Sequence, residues 1–259
     1  MLQAIATYFG SNRYSQVLKT MDHHSSTVSP PCLLLAAGRG ERMRPLTDRI
    51  PKPLLEVKGK SLLIWHLEAL QRAGIKNVVI NHAWLGQQIE DALGDGSQFG
   101  LNILYSREGN ALETAGGICN AMPLLNPSGY FLVINGDIFC PNFPIQKLVE
   151  KAHHLRSQQQ FLGHLILVEN PAHHPQGDFY LDDEVVRSEE NEKSISGKLT
   201  FSGIGVYHRD LFEGLTIGQS AKLAPILRTA MVDNRISGEK YTGSWQDVGS
   251  PERLAELNR

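Results

Sequence analysis

Between Leu33 and Leu54 the chain reads LLLAAGRGERMRPLTDRIPKPL, and few folds accommodate such a run. Leu33, Leu34 and Leu35 are continuous and apolar, which suits a short central strand covered on both faces. Ala36, Ala37, Gly38 and Gly40 then remove side-chain bulk, so that backbone N–H groups can approach phosphate oxygens or a base. Arg39, Arg42 and Arg44 offer positive charge to an anion. Lys52 stands between Pro51 and Pro53, whose rings stiffen its backbone. Each of these parts has a physical job if the ligand is a nucleoside triphosphate.

Two common nucleotide motifs fail here. A dinucleotide fingerprint would need Gly or Ala where Met43 stands, which argues against a dehydrogenase. A P-loop would end in Gly59-Lys60-Ser61, but its first glycine falls on Leu54. Two glycines alone equally fit a plain strand-to-helix turn.

The 259 residues, 41% hydrophobic and 20% charged, are ordinary for a globular chain. A formal net charge of −2 gives no electrostatic reason for a nucleic-acid or membrane-surface partner. No run of about 18 apolar residues exists to span a bilayer. Cys32, Cys119 and Cys140 are sparse and widely spaced, which fits a reducing, cytoplasmic compartment. Residues 1–30 differ from the rest. They lack the parts of a signal peptide and end in a polar, proline-closed linker. They read as an appendage of unknown role, followed by one domain over residues 31–259.

Downstream, strands and helices alternate. Ser61 caps a helix through Leu62–Ala73 that stops at Gly74; His66 within it reads as a packed or surface side chain and not a catalyst. Asn77–Ile80 forms a strand with Asn81 and His82 at its carboxyl end, where ligands bind in open α/β sheets. A helix from Trp84 to Leu93 and a strand from Leu101 to Tyr105 follow. The run ALETAGGICNAMPLL predicts a helix. Its paired glycines each cost about 1 kcal/mol relative to Ala, which a base or ribose packed on the helix start would explain. Tyr130–Ile134 is the fourth strand, ending in Asn135-Gly136-Asp137. This order predicts a doubly wound, mostly parallel sheet. Asp137 then leaves a central strand, where a carboxylate can hold Mg²⁺ beside phosphates or serve as a turn residue. From Phe161 the pattern changes to short alternating stretches, which predict an antiparallel extension of the sheet. The adjacent pairs His153-His154 and His173-His174 are unsuited to a shared metal site, since neighbours on a strand face opposite ways. A helix over Ala221–Met231 and another after Ser250 close the chain.

Read whole, LAAGRGERMRPLTDRIPKPL resembles the signature of the sugar-1-phosphate nucleotidyltransferases, LAAGxGxRxxPLTxxxPKPL, with no departure at its fixed positions. The resemblance implies a Rossmann-like mixed sheet with an antiparallel sugar-binding extension. It implies attack of a sugar 1-phosphate on the α-phosphorus of a nucleoside triphosphate, with Mg²⁺ and release of pyrophosphate. Arg42 and Lys52 match the catalytic cations, and Ala36, Ala37, Gly38, Arg39 and Gly40 the nucleotide turn. The family's LGTAGA is LETAGG here; Glu113 replaces the usual Gly beside the base, and Thr114 is the nearest hydroxyl. Asp137 and Asp247, the latter in Trp245-Gln246-Asp247-Val248-Gly249, match the two metal ligands. Asn81, Gly177, Ser202 and Gly203 fall, on a looser match, where family members line the sugar pocket. Within the family, residues 80–90, LETAGG, the Asn170–Phe179 stretch and Leu199–Gly203 resemble the N-acetylmuramate-1-phosphate uridylyltransferase branch of cell-wall recycling, which implies UTP as donor. The signature does not distinguish mannose or glucose 1-phosphate with GTP, UTP or dTTP. A non-catalytic sugar-nucleotide sensor on the same fold is disfavoured by the presence of Arg42, Lys52, Asp137 and Asp247 together.

Overall fold

The structure, a computed structural model, describes residues 29–189 and 197–259. The expected appendage lies outside the described residues apart from its last two. Thirteen strands occur among the described residues, nine of them in one sheet ordered β5-β4-β1-β6-β11-β8-β12-β10-β9. The first four are parallel: β5 (Asn102–Arg107), β4 (Asn77–His82), β1 (Cys32–Leu35) and β6 (Tyr130–Asn135). The apolar run behaves as expected of a central strand. Leu33 and Leu34 are fully buried and join two different cores, one on each sheet face.

One face is covered by α1 (Leu62–Arg72), α2 (Gly86–Leu93) and α4 (Ile145–Gln158), the other by α3 (Glu113–Leu125) and α5 (Leu223–Val232). Ser61 caps α1 by accepting the Ile64 N–H, and Gly94 closes α2. His66 is packed and not on the surface, and burial lowers its pKa to about 4.

The second half of the sheet holds the expected antiparallel extension, with one further parallel pair inside it. β11 (Thr200–His208) is antiparallel to both β6 and β8 (Gly163–Val168), so β8 runs in the same direction as the central strands. β12 (Ile236–Lys240) is parallel to β8. Only β11, β10 (Val185–Arg187) and the hairpin of β10 with β9 (Tyr180–Asp182) supply antiparallel pairs. α4 on one face and α5 on the other carry the chain back before β8 and β12, so both strands run in the direction of the central ones. Two small hairpins complete the frame: β2 (Glu56–Val57) with β3 (Lys60–Ser61), and β7 (Ile138–Phe139) with β13 (Gln246–Asp247). A last helix, α6 (Pro251–Leu257), is capped by Ser250.

Packing within the chain accounts for the paired glycines of α3. A Cβ on Gly116 would lie 2.5 Å from the carbonyl oxygen of Gln219. The N–H groups of Ala115 and Gly116 both donate to Ala221, so the helix start is pressed onto that loop. A Cβ on Gly117 would lie 2.7 Å from both Asn81 Nδ2 and Glu108 Oε1.

Candidate active site

The carboxyl ends of β1, β4, β5 and β6 border a cleft of about 360 Å³. Lys52 and Asp137 stand at one side, Glu108 and Glu113 at the other, with Ala36, Ala37 and Gly38 along the sheet edge. Lys52 lies in a 3₁₀ turn of residues 52–54 opened by Pro51, and is only 8% exposed. Its Nζ is 2.5 Å from Asp137 Oδ2. Gly40 makes this possible. At φ 68° it adopts a backbone suited to glycine, and a Cβ there would press on Thr47 at 3.0 Å and on the Lys52 stem at 3.2 Å. Gly136 does the same for Asp137: its N–H donates to Leu35 O at 2.8 Å, and a Cβ would collide with that oxygen.

The backbone of the glycine-rich turn is only partly available. The Ala36 N–H donates to Asn81 Oδ1 at 2.8 Å. Asn81 Nδ2 donates to Glu108 Oε1 at 2.6 Å, and Glu108 Oε2 accepts the Leu112 N–H. Asn81 therefore lines the cleft but spends its amide on holding β1, β4 and β5 in register. The N–H groups of Ala37 to Gly40 have no acceptor among the described residues, leaving four donors at the sheet edge. Burial pushes the Glu108 carboxyl above the usual carboxylate range, against the pull of its two hydrogen bonds.

Of the expected basic residues, only Lys52 enters the cleft. Arg39 turns outward, bonding Thr47 O at 2.8 Å and Asp48 at 2.7 Å, with its guanidinium 3.9 Å from the centre of the Trp84 ring. Arg42 is exposed, outside the cleft lining and without a partner among the described residues. Glu113 and Thr114 open α3 at the cleft, and Glu113 has φ 61°. The glycine-type backbone is thus kept at this position by a residue that bears a side chain.

Asp247 lies outside the cleft lining but is tied to the Asp137 segment by the β7–β13 ladder, where it pairs with Ile138, and Val248 N–H donates to Asp137 O at 2.8 Å. The Asp247 carboxylate is bonded to Arg253 and lies 2.9 Å from His173 Nε2. Gly249 permits the fold-back, since a Cβ there would strike both Arg253 and Asp247. His174 is held separately by Asp178 at 3.1 Å, and His153 and His154 are on α4, a helix and not the strand assumed for them. No group of three or more metal-ligating side chains occurs among the described residues. Two carboxylates suit Mg²⁺, which takes oxygen ligands and completes its shell from water and phosphate.

Gly177, Ser202 and Gly203 lie outside the cleft lining. Gly177 packs against Asn170 and Lys198. Ser202 turns its hydroxyl onto the Ile204 N–H within the β11 irregularity. Gly203, at φ 81°, presses on Asn135, which does line the cleft. Sequence reasoning missed Glu108, His173 and Arg253. Glu108 was findable, as an acidic residue following a strand's carboxyl end. His173, 74 positions from Asp247, carried no signal.

A parallel sheet whose carboxyl edge offers free N–H groups, a buried lysine and two nearby aspartates defines a protein that handles nucleoside phosphates. The chain belongs to the nucleotidyl transferase family, whose sequence model matches residues 32–259, and within it to the sugar-1-phosphate nucleotidyltransferases. It is 54% identical over 226 residues to the N-acetylmuramate alpha-1-phosphate uridylyltransferase of Neisseria meningitidis serogroup B, covering 86% of this chain and 95% of that protein. It is 28% identical to the mannose-1-phosphate guanylyltransferase catalytic subunit beta of Drosophila pseudoobscura, over 85% of this chain and 59% of that one. In fold it is similar to HddC of Yersinia pseudotuberculosis solved with GMP-PN, at TM-score 0.67 and 22% identity, covering 88% and 97% of the two chains. A Bacillus anthracis protein solved with sucrose gives TM-score 0.74 at 20% identity, covering 88% and 93%.

Proposed function

We propose that this chain transfers the uridylyl group of UTP to N-acetylmuramate 1-phosphate, giving UDP-N-acetylmuramate and pyrophosphate, a step of cell-wall recycling in the cytoplasm. The observation that carries the chemistry is the Lys52–Asp137 pair beside four unpaired N–H groups. The likeness to the uridylyltransferase supports the choice of substrates. Three free cysteines and a net charge of −2 agree with a reducing compartment and with small anionic substrates in place of nucleic acid.

The nucleophile needs no general base, because a phosphate monoester has a second pKa of about 6. What the reaction needs is alignment and charge relief between two polyanions. In this reading the N–H groups of Ala37, Gly38, Arg39 and Gly40 hold the triphosphate. Lys52 neutralises the α-phosphate as the sugar phosphate approaches. Arg42, unpaired at the rim, takes the departing pyrophosphate after a movement of its loop. Asp137 and Asp247 would hold Mg²⁺, which supplies further charge neutralisation to the phosphates when bound. Ala36 and Asn81 position the turn, while Glu113 and Thr114 meet the nucleoside. Gly177, Ser202 and Gly203 shape the sugar side through the backbone they fix.

The test is pyrophosphate release with Mg²⁺, crossing UTP, GTP, CTP and dTTP with the 1-phosphates of N-acetylmuramate, N-acetylglucosamine, glucose and mannose. A clear preference for UTP with N-acetylmuramate 1-phosphate is expected. Preference for another pair would discard the substrates and keep the reaction type.

A further inference from the structure

We infer that Glu113 is a specificity residue that accepts a hydrogen bond from a ribose hydroxyl of the donor nucleotide. The inference rests on the reading that the cleft takes a nucleoside triphosphate. Three observations converge on it. Glu113 lines the 360 Å³ cleft. Its backbone has φ 61°, a conformation glycine takes freely and a side chain disfavours. Its carboxylate is exposed and has no hydrogen bond or ion pair with any described residue, so no internal partner explains the strain.

The chemistry narrows what it meets. An ionised carboxylate only accepts hydrogen bonds and repels phosphate. The phosphates belong with Lys52 and the free N–H groups of the turn. Glu113 therefore faces the nucleoside, whose donors are ribose hydroxyls and base N–H groups. Deeper in the cleft stand the buried Asn81 and the half-buried Glu108 bonded to it, a less hydrated setting that suits the flat base. Glu113, Ala111 and Gly38 form the exposed mouth, where the hydrated ribose fits. A hydrogen bond to a charged acceptor contributes about 10- to 100-fold in discrimination.

The test compares equilibrium binding, in Mg²⁺, of UTP, 2′-deoxy-UTP and 3′-deoxy-UTP to the wild type, Glu113→Gly and Glu113→Gln. The wild type should bind one deoxy form about 10- to 100-fold more weakly than UTP. Glu113→Gly should bind UTP and that deoxy form equally at an undiminished melting temperature, since glycine suits this backbone. Glu113→Gln, whose amide oxygen still accepts, should keep discrimination. Equal binding of all three by the wild type, or unchanged discrimination in Glu113→Gly, overturns the proposal alone. If the wild type binds no nucleotide, the parent reading and this one fall together.

Discussion

Lys52 Nζ lies 2.5 Å from Asp137 Oδ2, joining the glycine-rich turn to the end of β6 across 85 positions of sequence. Lys52 is buried and Asp137 is more open, with side-chain exposures of 10% and 37%. The lysine's location is thus fixed by packing, while its partner can exchange it for another cation or a phosphate-bound one. Lys52→Ala is expected to lower kcat by about 100-fold or more, as loss of a positioned charge-stabilising group does, with an unchanged circular dichroism spectrum. A near-wild-type rate would remove Lys52 from the chemistry.

The two aspartates are both held by cationic side chains in this structure, Asp137 by Lys52 and Asp247 by Arg253. Asp137→Asn and Asp247→Asn should each raise the Mg²⁺ concentration for half-maximal pyrophosphate release by about 10-fold or more, and EDTA should abolish release by the wild type. A Mg²⁺ titration that either substitution leaves unmoved would take that residue out of the metal site.

Gly116 and Gly117 separate packing from propensity. In an isolated helix each change to Ala would stabilise by about 1 kcal/mol. Here Gly116→Ala meets the Gln219 carbonyl, and backbone cannot step aside cheaply. Thermal melting should show a loss of about 1–3 kcal/mol. Gly117→Ala meets Asn81 and Glu108 instead, so its KM for nucleotide should rise as the Ala36 turn loosens. A stabilised Gly116→Ala protein would contradict the packing described.

The parallel half of the fold was legible because its inner strands are uninterrupted apolar runs that end in small or polar residues, as Leu33–Leu35 does at Ala36 and Tyr130–Ile134 at Asn135. The helix α4 was equally visible in principle: Ile145, Leu148, Val149, Ala152 and Leu155 keep helical spacing and are buried. It stands beside the more obvious alternating stretches after Phe161, and no local pattern in either sets which way β8 runs relative to the central strands. Lys52 and Asp137 could be read from their motifs because each sits at a chain feature, a proline pair and a strand end. The outward turn of Arg39 could not, since it depends on Trp84 and Thr47 arriving from other segments. The same holds for His173 meeting Asp247.

His164 sets a stability limit at low pH. It is 1% exposed between β8 and β12. Ser237 Oγ donates to Gly163 O, so the imidazole Nδ1 donates to Ser237 at 2.9 Å and Nε2 stays unprotonated. Burial first, and Lys151 second, lower its pKa from 6.5 to about 3. Above pH 6.5 both native and unfolded chains hold it neutral, and its contribution is complete. Below that, the unfolded chain binds a proton the native one refuses. Stability should fall as pH drops toward 3, by up to about 1.4 kcal/mol per pH unit, with His66 adding to the slope down to about pH 4. Denaturant midpoints measured from pH 7 to 4 should show this decline, and His164→Asn should flatten it.

Trp84 donates its indole N–H to Thr47 O at 2.9 Å beneath the Arg39 guanidinium, Trp245 donates to Ser202 O, and Trp65 stacks edge-on to Phe139 in β7. These are all the tryptophans of the chain. One tryptophan, Trp84, is therefore tied directly to the glycine-rich turn, while Trp65 and Trp245 report on the β7 and β11 side. Any ligand that shifts the glycine-rich turn alters the charge above one indole, so occupancy can be followed by emission on unlabelled protein, with Trp84→Phe isolating the signal of the turn from that of the β7–β13 side.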